Sequence, residues 1–146
     1  ALHWFEFDKF FTEVKRVGKN GAVFAAWAYN ILSTDSDWVN EQINHFYHKV
    51  IYCYWDVARR YIDEQYQTIP FPFKEIKNPG FVTKLQWDLE SLEGYLNTWS
   101  AVQNFIQQHH RNPVSELMKN ITTAVKPGNK LEITFPIFMR IGIIKK

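Results

Sequence analysis

The sequence predicts an α/β fold, and three observations support this class. Apolar residues recur at three- and four-residue spacing between Asp8 and Val17, which is typical of an amphipathic helix. The uncharged run Ala22–Tyr29 follows a turn and has the composition of a strand. Strand-like stretches at 81–87 and 131–143 are separated by further helical patterns, so we expect about three strands with four or five helices.

The run Ala22–Tyr29 is predicted to be buried on both faces, because it contains no charged residue. Such a strand is typical of parallel sheets with helices on both sides. The preceding residues Lys19–Gly21 form a turn, so helix, turn and strand make half of a βαβ unit. We expect the first strand of that unit upstream of Ala1.

Residues 36–73 are predicted to be a helical insertion. Apolar spacing predicts a helix from about Val39 to Tyr54, for which Ser36 or Asp37 could be the N-cap. A shorter helix should run from about Asp56 to Tyr66, since the prolines that follow stop it.

Residues 81–146 are predicted to form a strand, two helices and a terminal strand. The first strand is Phe81–Trp87, and Asp88 caps one long helix through residue 110. A second helix covers 114–124 after Asn112 and Pro113. The stretch 131–143 is one long strand or a bent pair, because Pro136 lacks an amide donor, and its odd-numbered apolar residues should share one face. We find no repeat or linker, so residues 1–146 are predicted to be a single partial domain.

Composition restricts the class of protein. Hydrophobic residues are 46% and charged residues 22% of the chain, which disfavours disorder. Aromatic residues reach 17%, which suggests either an aromatic-lined pocket or a face that packs on missing structure, although an aromatic-rich core is an equal alternative. Since the net charge is only +2 and the basic residues are scattered, a nucleic-acid partner is not expected.

The location is predicted to be the cytoplasm. Cys53 is the only cysteine, so an internal disulfide is excluded, and its apolar neighbours predict a buried, inert thiol. No apolar run approaches the ~20 residues that a membrane helix needs, so we expect a soluble protein without a membrane partner.

Three stretches of this sequence carry a resemblance to a known family. They are Leu2–Phe5 with the helix ending at Glu13–Val17 and the glycine-led strand after it, Tyr66–Phe73, and Gly94–Val102. The first resembles the second half of class I S-adenosylmethionine-dependent methyltransferases, and the other two resemble segments of the branch that includes trans-aconitate-methyltransferase-like proteins. The likeness spans most of the chain, and Tyr95–Val102 is its most specific part.

The resemblance implies the C-terminal part of a Rossmann-like methyltransferase sheet, with residues 36–73 as a lid over the active-site mouth. Such enzymes hold S-adenosylmethionine mainly through a glycine-rich loop after the first strand and an acidic residue that ends the second. This chain has neither feature, because no two of its six glycines are close enough to form such a loop. The N-terminal cofactor-binding strands are therefore expected to be missing, and the chain alone is not expected to catalyse.

The resemblance also suggests which aromatic residues line the site. Methyl transfer depends mostly on positioning, and aromatic faces can hold a sulfonium cation. His3 and Trp4 are therefore candidate cofactor contacts, although His3 could instead be a loop histidine packed on Trp4. Tyr29 is a candidate substrate contact at the carboxyl end of its strand. Tyr95 and Trp99 are further substrate candidates, although Trp99 falls on an apolar helix stripe and fits a core position equally well.

Two arginines are candidate contacts for a carboxylate substrate. Arg59 or Arg140 could pair with a planar anion through two hydrogen bonds, although surface charge explains either residue as well. We assign no catalytic side chain. His45 and His48 lie one helical turn apart, but two ligands without a third do not predict a metal site.

Two functional hypotheses follow. The first is methyl transfer from S-adenosylmethionine to a small molecule, with a carboxylate as one candidate, in which this chain supplies the acceptor-side half. Its partner would be the missing N-terminal half or a second copy in a homodimer. The second is a non-catalytic binding or assembly module that pairs through an exposed sheet edge.

Overall fold

The computed structural model describes residues 1–126 and 128–146. These residues form five strands and six α-helices, which confirms the predicted α/β class. Short 3₁₀ turns cover Leu2–Trp4, Tyr52–Tyr54 and Val57–Arg59, and a π-helical turn covers Phe46–Val50. The main elements, in chain order, are α1 (Phe7–Val17), β1 (Val23–Tyr29), β2 (Ser33–Thr34), α2 (Asp37–His45), α3 (Arg60–Asp63), β3 (Lys74–Ile76), β4 (Phe81–Trp87), α4 (Leu89–Asn97), α5 (Ser100–His109), α6 (Val114–Thr122) and β5 (Leu131–Ile143).

The three predicted strands are present as β1, β4 and β5, but the predicted count of three is wrong. β2 and β3 are too short to give a readable alternation of polar and apolar residues. The single helix predicted from Asp88 to residue 110 is also wrong. It breaks after Asn97, where the Thr98 hydroxyl donates to the Tyr95 carbonyl at 2.6 Å and Trp99 adopts an extended backbone.

β5 pairs with every other strand of the sheet. Its pairings with β1, β2 and β3 are antiparallel. The prediction that β1 lies in a parallel sheet is therefore wrong for its pairing with β5. The prediction that β1 is buried on both faces is wrong too, because Val23 and Trp27 are 62% and 63% exposed. Its even-numbered residues contribute to a core, whereas Val23, Trp27 and Tyr29 on its odd-numbered side are each more than half exposed.

β5 is one continuous strand through Pro136, so the alternative of a bent pair of strands is wrong. Leu131, Ile133 and Phe135 are buried as predicted. Beyond Pro136 the buried positions of β5 are Phe138, Arg140 and Gly142, on the opposite face. The prediction that all odd-numbered residues share one buried face is therefore wrong for the second half of the strand.

The chain divides into two compact units. The sheet unit comprises residues 1–31, 57–83 and 135–146, and the helical unit comprises residues 32–56 and 84–134. The single partial domain predicted for residues 1–146 stays a prediction. In the sheet unit, α1 packs on the even-numbered side of β1, and the core includes Phe11, Ala26, Phe73 and Phe138. In the helical unit the most buried apolar side chains are Val39, Ile43, Leu92, Leu96, Val102, Val114 and Ile121.

Gly142 allows the close approach of β3 to β5. A Cβ atom at this position would lie 2.7 Å from the Cβ atom of Phe73 and 2.8 Å from a ring carbon of Phe71. Only glycine therefore fits here without displacing the two phenylalanines.

Cys53 is exposed, so the prediction of a buried thiol is wrong; it lies in the turn Tyr52–Tyr54, which leaves its side chain at the surface. Within residues 1–126 and 128–146, no helix has both the length and the hydrophobicity that a membrane crossing requires.

Candidate functional site

The predicted site residues are distributed over both units. The helical unit contains Tyr95 and Trp99. The sheet unit contains the larger group, which is His3, Trp4, Tyr29, Arg59 and Arg140.

Tyr66 connects two of the predicted residues in the sheet unit. Its hydroxyl lies 3.1 Å from Nδ1 of His3, and its carbonyl accepts a hydrogen bond from Nη1 of Arg140 at 2.9 Å. Tyr66 is almost fully buried, and both it and Gln65 have left-handed backbones, with φ angles of 61° and 53°. Consecutive non-glycine residues in this region are strained, and such strain is common at functional sites. Sequence reasoning missed this role, although Tyr66 begins one of the stretches that carry the family resemblance.

Electrostatics keep the Tyr66 hydroxyl protonated. Burial raises the pKa of Tyr66, and the positive charge of Arg59 opposes that shift less strongly. A protonated hydroxyl can donate to Nδ1 of His3 in the tautomer in which that nitrogen carries no proton. The pair therefore fixes the orientation of His3, whose ring centroid also lies 5.0 Å from that of Trp4.

A groove of about 220 Å³ lies beside these residues. Its lining includes four consecutive residues of β1, Phe24–Trp27, so it follows the edge of the strand rather than one face. The remaining lining side chains are aromatic or aliphatic, and none is basic: Ala1, Leu2, Phe5, Phe10 and Tyr66. We call this feature the β1 groove. It suits an apolar, aromatic or cationic group better than an anion.

Arg140 is a buried cross-link of the sheet unit. Its guanidinium makes two hydrogen bonds to the Glu75 carboxylate, at 2.8 and 3.1 Å, and donates to the carbonyls of Tyr66 and Ile69. It also lies 4.3 Å from the ring centroid of Phe71. This set of partners gives Arg140 a structural role in the described chain.

The other two residues of the sheet unit have separate surroundings. Arg59 lies 3.5 Å from the carboxylate of Asp63, one helical turn away. Tyr29 ends β1, and its half-exposed ring packs edge-on against Phe135 at 5.3 Å.

Tyr95 and Trp99 belong to an aromatic cluster in the helical unit. Their ring centroids are 5.8 Å apart, and Trp99 is also 5.7 Å from both Tyr47 and Trp55. Trp87 lies 5.2 Å from Tyr95. Only 8% of Trp99 is exposed, so it occupies a core position, which was the alternative indicated by the apolar spacing of the helix. Tyr95 is half-buried and contributes a more accessible ring.

The helical unit contains a second cavity of about 280 Å³, which none of the predicted site residues lines. Its wall includes Gln42, His45, Phe105, Arg111 and Glu116. In the part of the chain that the structure describes, no group of three or more histidine, cysteine or acidic residues could hold a metal ion.

Comparisons with known proteins connect this geometry to an enzyme class. The chain is 24% identical to a Dictyostelium discoideum protein provisionally named a methyltransferase, over 95% of this chain and 55% of that protein. Its structure matches a provisionally named type II methyltransferase from Anaeromyxobacter dehalogenans with a TM-score of 0.90 and 34% sequence identity. That match covers 99% of this chain and 61% of the other. No family model matches the chain.

The chain thus spans little more than half of the length of each of these relatives. Sequence identity and fold agree over nearly all of its own residues, and both relatives carry names of the same enzyme class. The chain is therefore a homologue of proteins named as methyltransferases, and it has a methyltransferase fold.

Proposed function

We propose that this chain is the acceptor-side, C-terminal half of a class I methyltransferase of the trans-aconitate-methyltransferase-like branch. In this proposal the complete cytoplasmic enzyme transfers a methyl group from S-adenosylmethionine to a small molecule. The observation that carries the proposal is the structural match, which extends over 99% of this chain with a TM-score of 0.90.

The residues around the β1 groove fit the cationic part of this cofactor. S-adenosylmethionine supplies an activated methyl group on a positively charged sulfur. Trp4 is 61% exposed and can offer a ring face to such a cation, and none of the side chains that line the neighbouring groove is basic. The hydrogen bond to Tyr66 orients His3 beside Trp4, so both residues are held ready for contact.

The acceptor contacts are proposed to be aromatic, with one arginine. Tyr29 offers a half-exposed ring and hydroxyl at the end of β1, and Tyr95 and Trp99 offer the aromatic cluster of the helical unit. For a carboxylate acceptor, Arg59 or Arg140 would be that arginine. The guanidinium of Arg140 binds Glu75 and two carbonyls, and that of Arg59 lies 3.5 Å from the carboxylate of Asp63.

In this proposal the cofactor site is completed by additional polypeptide, either the N-terminal half of the domain or a second copy of the chain. The alternative is a non-catalytic assembly module, which the free edge of β1 favours because an apolar edge strand promotes pairing with another chain.

Calorimetric titration with S-adenosylhomocysteine tests the cofactor proposal without knowledge of the acceptor. The full chain is titrated alone and after co-expression with the part of the Anaeromyxobacter protein that lies outside the match. We expect binding in an assembled state, and Trp4→Ala should weaken it because the exposed ring is lost. Trp38→Ala is the matched control, since Trp38 is an exposed tryptophan of the helical unit. Absence of binding in every state would refute the methyltransferase proposal and favour the assembly module.

A further inference from the structure

The cavity of about 280 Å³ in the helical unit has an apolar floor and a polar rim, and we call it the helical cavity. The lining residues that are buried are all apolar, namely Phe46, Phe105, Pro113 and Leu117. Those that are exposed are all polar or charged, namely His45, Arg111, Glu116 and Asn120. Small-molecule sites combine an apolar wall with a few polar groups in this way, and their volumes start at ~300 Å³. The helical cavity therefore suits a small ligand with both an apolar and a polar part.

Two helices place most of the polar groups at the rim. Gln42 and His45 lie three residues apart on α2, and Glu116 and Asn120 lie four residues apart on α6. These spacings put both members of each pair on one face of their helix. The side-chain amide of Asn120 donates to the side-chain oxygen of Gln42 at 3.5 Å, which links the two helices beside the cavity.

The turn between α5 and α6 holds Arg111 at the same rim. α5 ends at His110, whose left-handed backbone has a φ angle of 54°. On the other side of Arg111, the side-chain oxygen of Asn112 accepts from the Val114 amide at 2.9 Å, and its side-chain nitrogen donates to Asn97 at 2.8 Å. The backbone around Arg111 is thus fixed before a ligand binds, which lowers the entropic cost of binding.

Three of the rim side chains are available to a ligand. In the part of the chain that the structure describes, the side chains of His45, Arg111 and Glu116 form no hydrogen bond or ion pair. The guanidinium of Arg111 lies over the ring of Phe105, 5.5 Å from its centroid, a contact that leaves its N–H donors open. The rim therefore offers one free cation, one free carboxylate and one imidazole.

The balance of charge at the rim selects the class of ligand. A simple carboxylate would pair with Arg111 but would also meet the negative charge of Glu116, and a simple amine would meet the reverse conflict. A molecule that carries both charges satisfies both residues. An apolar body on that molecule would pack on the rings of Phe46 and Phe105.

We propose that the helical cavity binds an α-amino acid with an apolar side chain. Its carboxylate pairs with Arg111, its ammonium pairs with Glu116, and its side chain packs on the apolar floor. No candidate cofactor or acceptor residue lines this cavity, so the site is additional to the proposed function and does not rest on it.

Calorimetric titration of the full chain with three related probes tests the proposal. The probes are L-phenylalanine, 3-phenylpropionate, which lacks the amino group, and 2-phenylethylamine, which lacks the carboxylate. We expect L-phenylalanine to bind about three- to tenfold more tightly than either analogue, because each analogue loses one ion pair at a solvent-exposed rim. Absence of binding by all three probes would overturn the site, and equal binding of L-phenylalanine and 3-phenylpropionate would overturn the ligand class.

Two variants assign each charge to its residue. Glu116→Gln should remove the preference for L-phenylalanine over 3-phenylpropionate, and Arg111→Gln should remove the preference over 2-phenylethylamine. Glu90→Gln and Arg16→Gln are the matched controls, since both residues are exposed and neither lines the cavity. They should leave the affinities unchanged. Preferences that persist in the Glu116 and Arg111 variants would overturn the proposed pairing.

A competition experiment separates this site from the proposed cofactor site. S-adenosylhomocysteine has an amino-acid group of its own, so the titration with L-phenylalanine is repeated in its presence. An unchanged affinity supports a separate site, and displacement of L-phenylalanine would overturn it. L-phenylalanine binding by a chain that never binds S-adenosylhomocysteine would retain the helical cavity as a site while refuting the proposed function.

Discussion

The two units of this chain bury their apolar residues in different ways. In the helical unit, amphipathic helices turn their apolar stripes toward one another, so that Val39, Leu92 and Val102 are fully inaccessible. In the sheet unit, β1 is apolar on both sides, but α1 and its neighbours cover only one of them. The difference indicates that packed helices can bury each other's apolar faces, whereas a strand that is apolar on both faces needs a packed element on each side. The sheet unit is therefore where we expect an additional chain segment to bind.

The largest difference in the free energy of unfolding is expected between two valine-to-alanine variants, one in each unit. Val102→Ala in the helical unit should lower the free energy of unfolding by about 2–3 kcal/mol, because two buried methyl groups are lost and a cavity remains. Val23→Ala on the exposed, odd-numbered side of β1 should cost less than about 1 kcal/mol, mostly through strand propensity. Urea denaturation of both variants measures the difference, and equal losses of unfolding free energy would show that this side of β1 is covered in solution.

The next largest difference in stability is expected between two glycine-to-alanine variants. Gly142→Ala should destabilise the chain by about 1–3 kcal/mol, because the new Cβ atom would collide with Phe71 and Phe73 in the sheet unit. Gly94→Ala in α4 is the matched control, since a Cβ atom there meets nothing within 4 Å. It should be neutral or stabilise the helix by up to about 1 kcal/mol. Thermal unfolding distinguishes the two, and a tolerated Gly142→Ala would contradict the close packing of β3 on β5.

The smallest effect concerns pH. The hydrogen bonds from Arg140 lower the pKa of Glu75 in the folded chain, and burial opposes this more weakly. A carboxylate with a depressed folded-state pKa contributes stability above its unfolded pKa, and that stability is lost as the pH falls through the folded value. Glu75→Gln should therefore flatten the acid side of the stability curve, measured by denaturant midpoints between about pH 7 and pH 3. An unchanged acid slope would show that the Arg140 pair does not couple to folding.

The long elements could be predicted from sequence because their patterns are long. β1, β4, α1 and α6 appear within two residues of their predicted ends or starts. β2 and β3 could not, since two or three residues carry no period. The break between α4 and α5 was hidden because the apolar spacing continues through Thr98 and Trp99.

The candidate site was less accessible to sequence reasoning. Arg140 was a plausible anion ligand from its residue type, but its partners lie 65 to 74 residues away and only the fold brings them together. The role of Tyr66 depends likewise on His3, 63 residues away. Local patterns contain no information on such long-range contacts, so a binding residue and a buried cross-link look alike in the sequence.

The central place of β5 has a consequence for biosynthesis. β5 follows every other described element in the chain, yet each of the other strands pairs with it. Val23 pairs with Ile143, so more than 100 residues must be synthesised after the start of β1 before its partner emerges from the ribosome. Throughout that interval an uncharged, aromatic strand is unpaired in the nascent chain. β1 is therefore an aggregation-prone segment of the nascent chain until synthesis of β5 is complete.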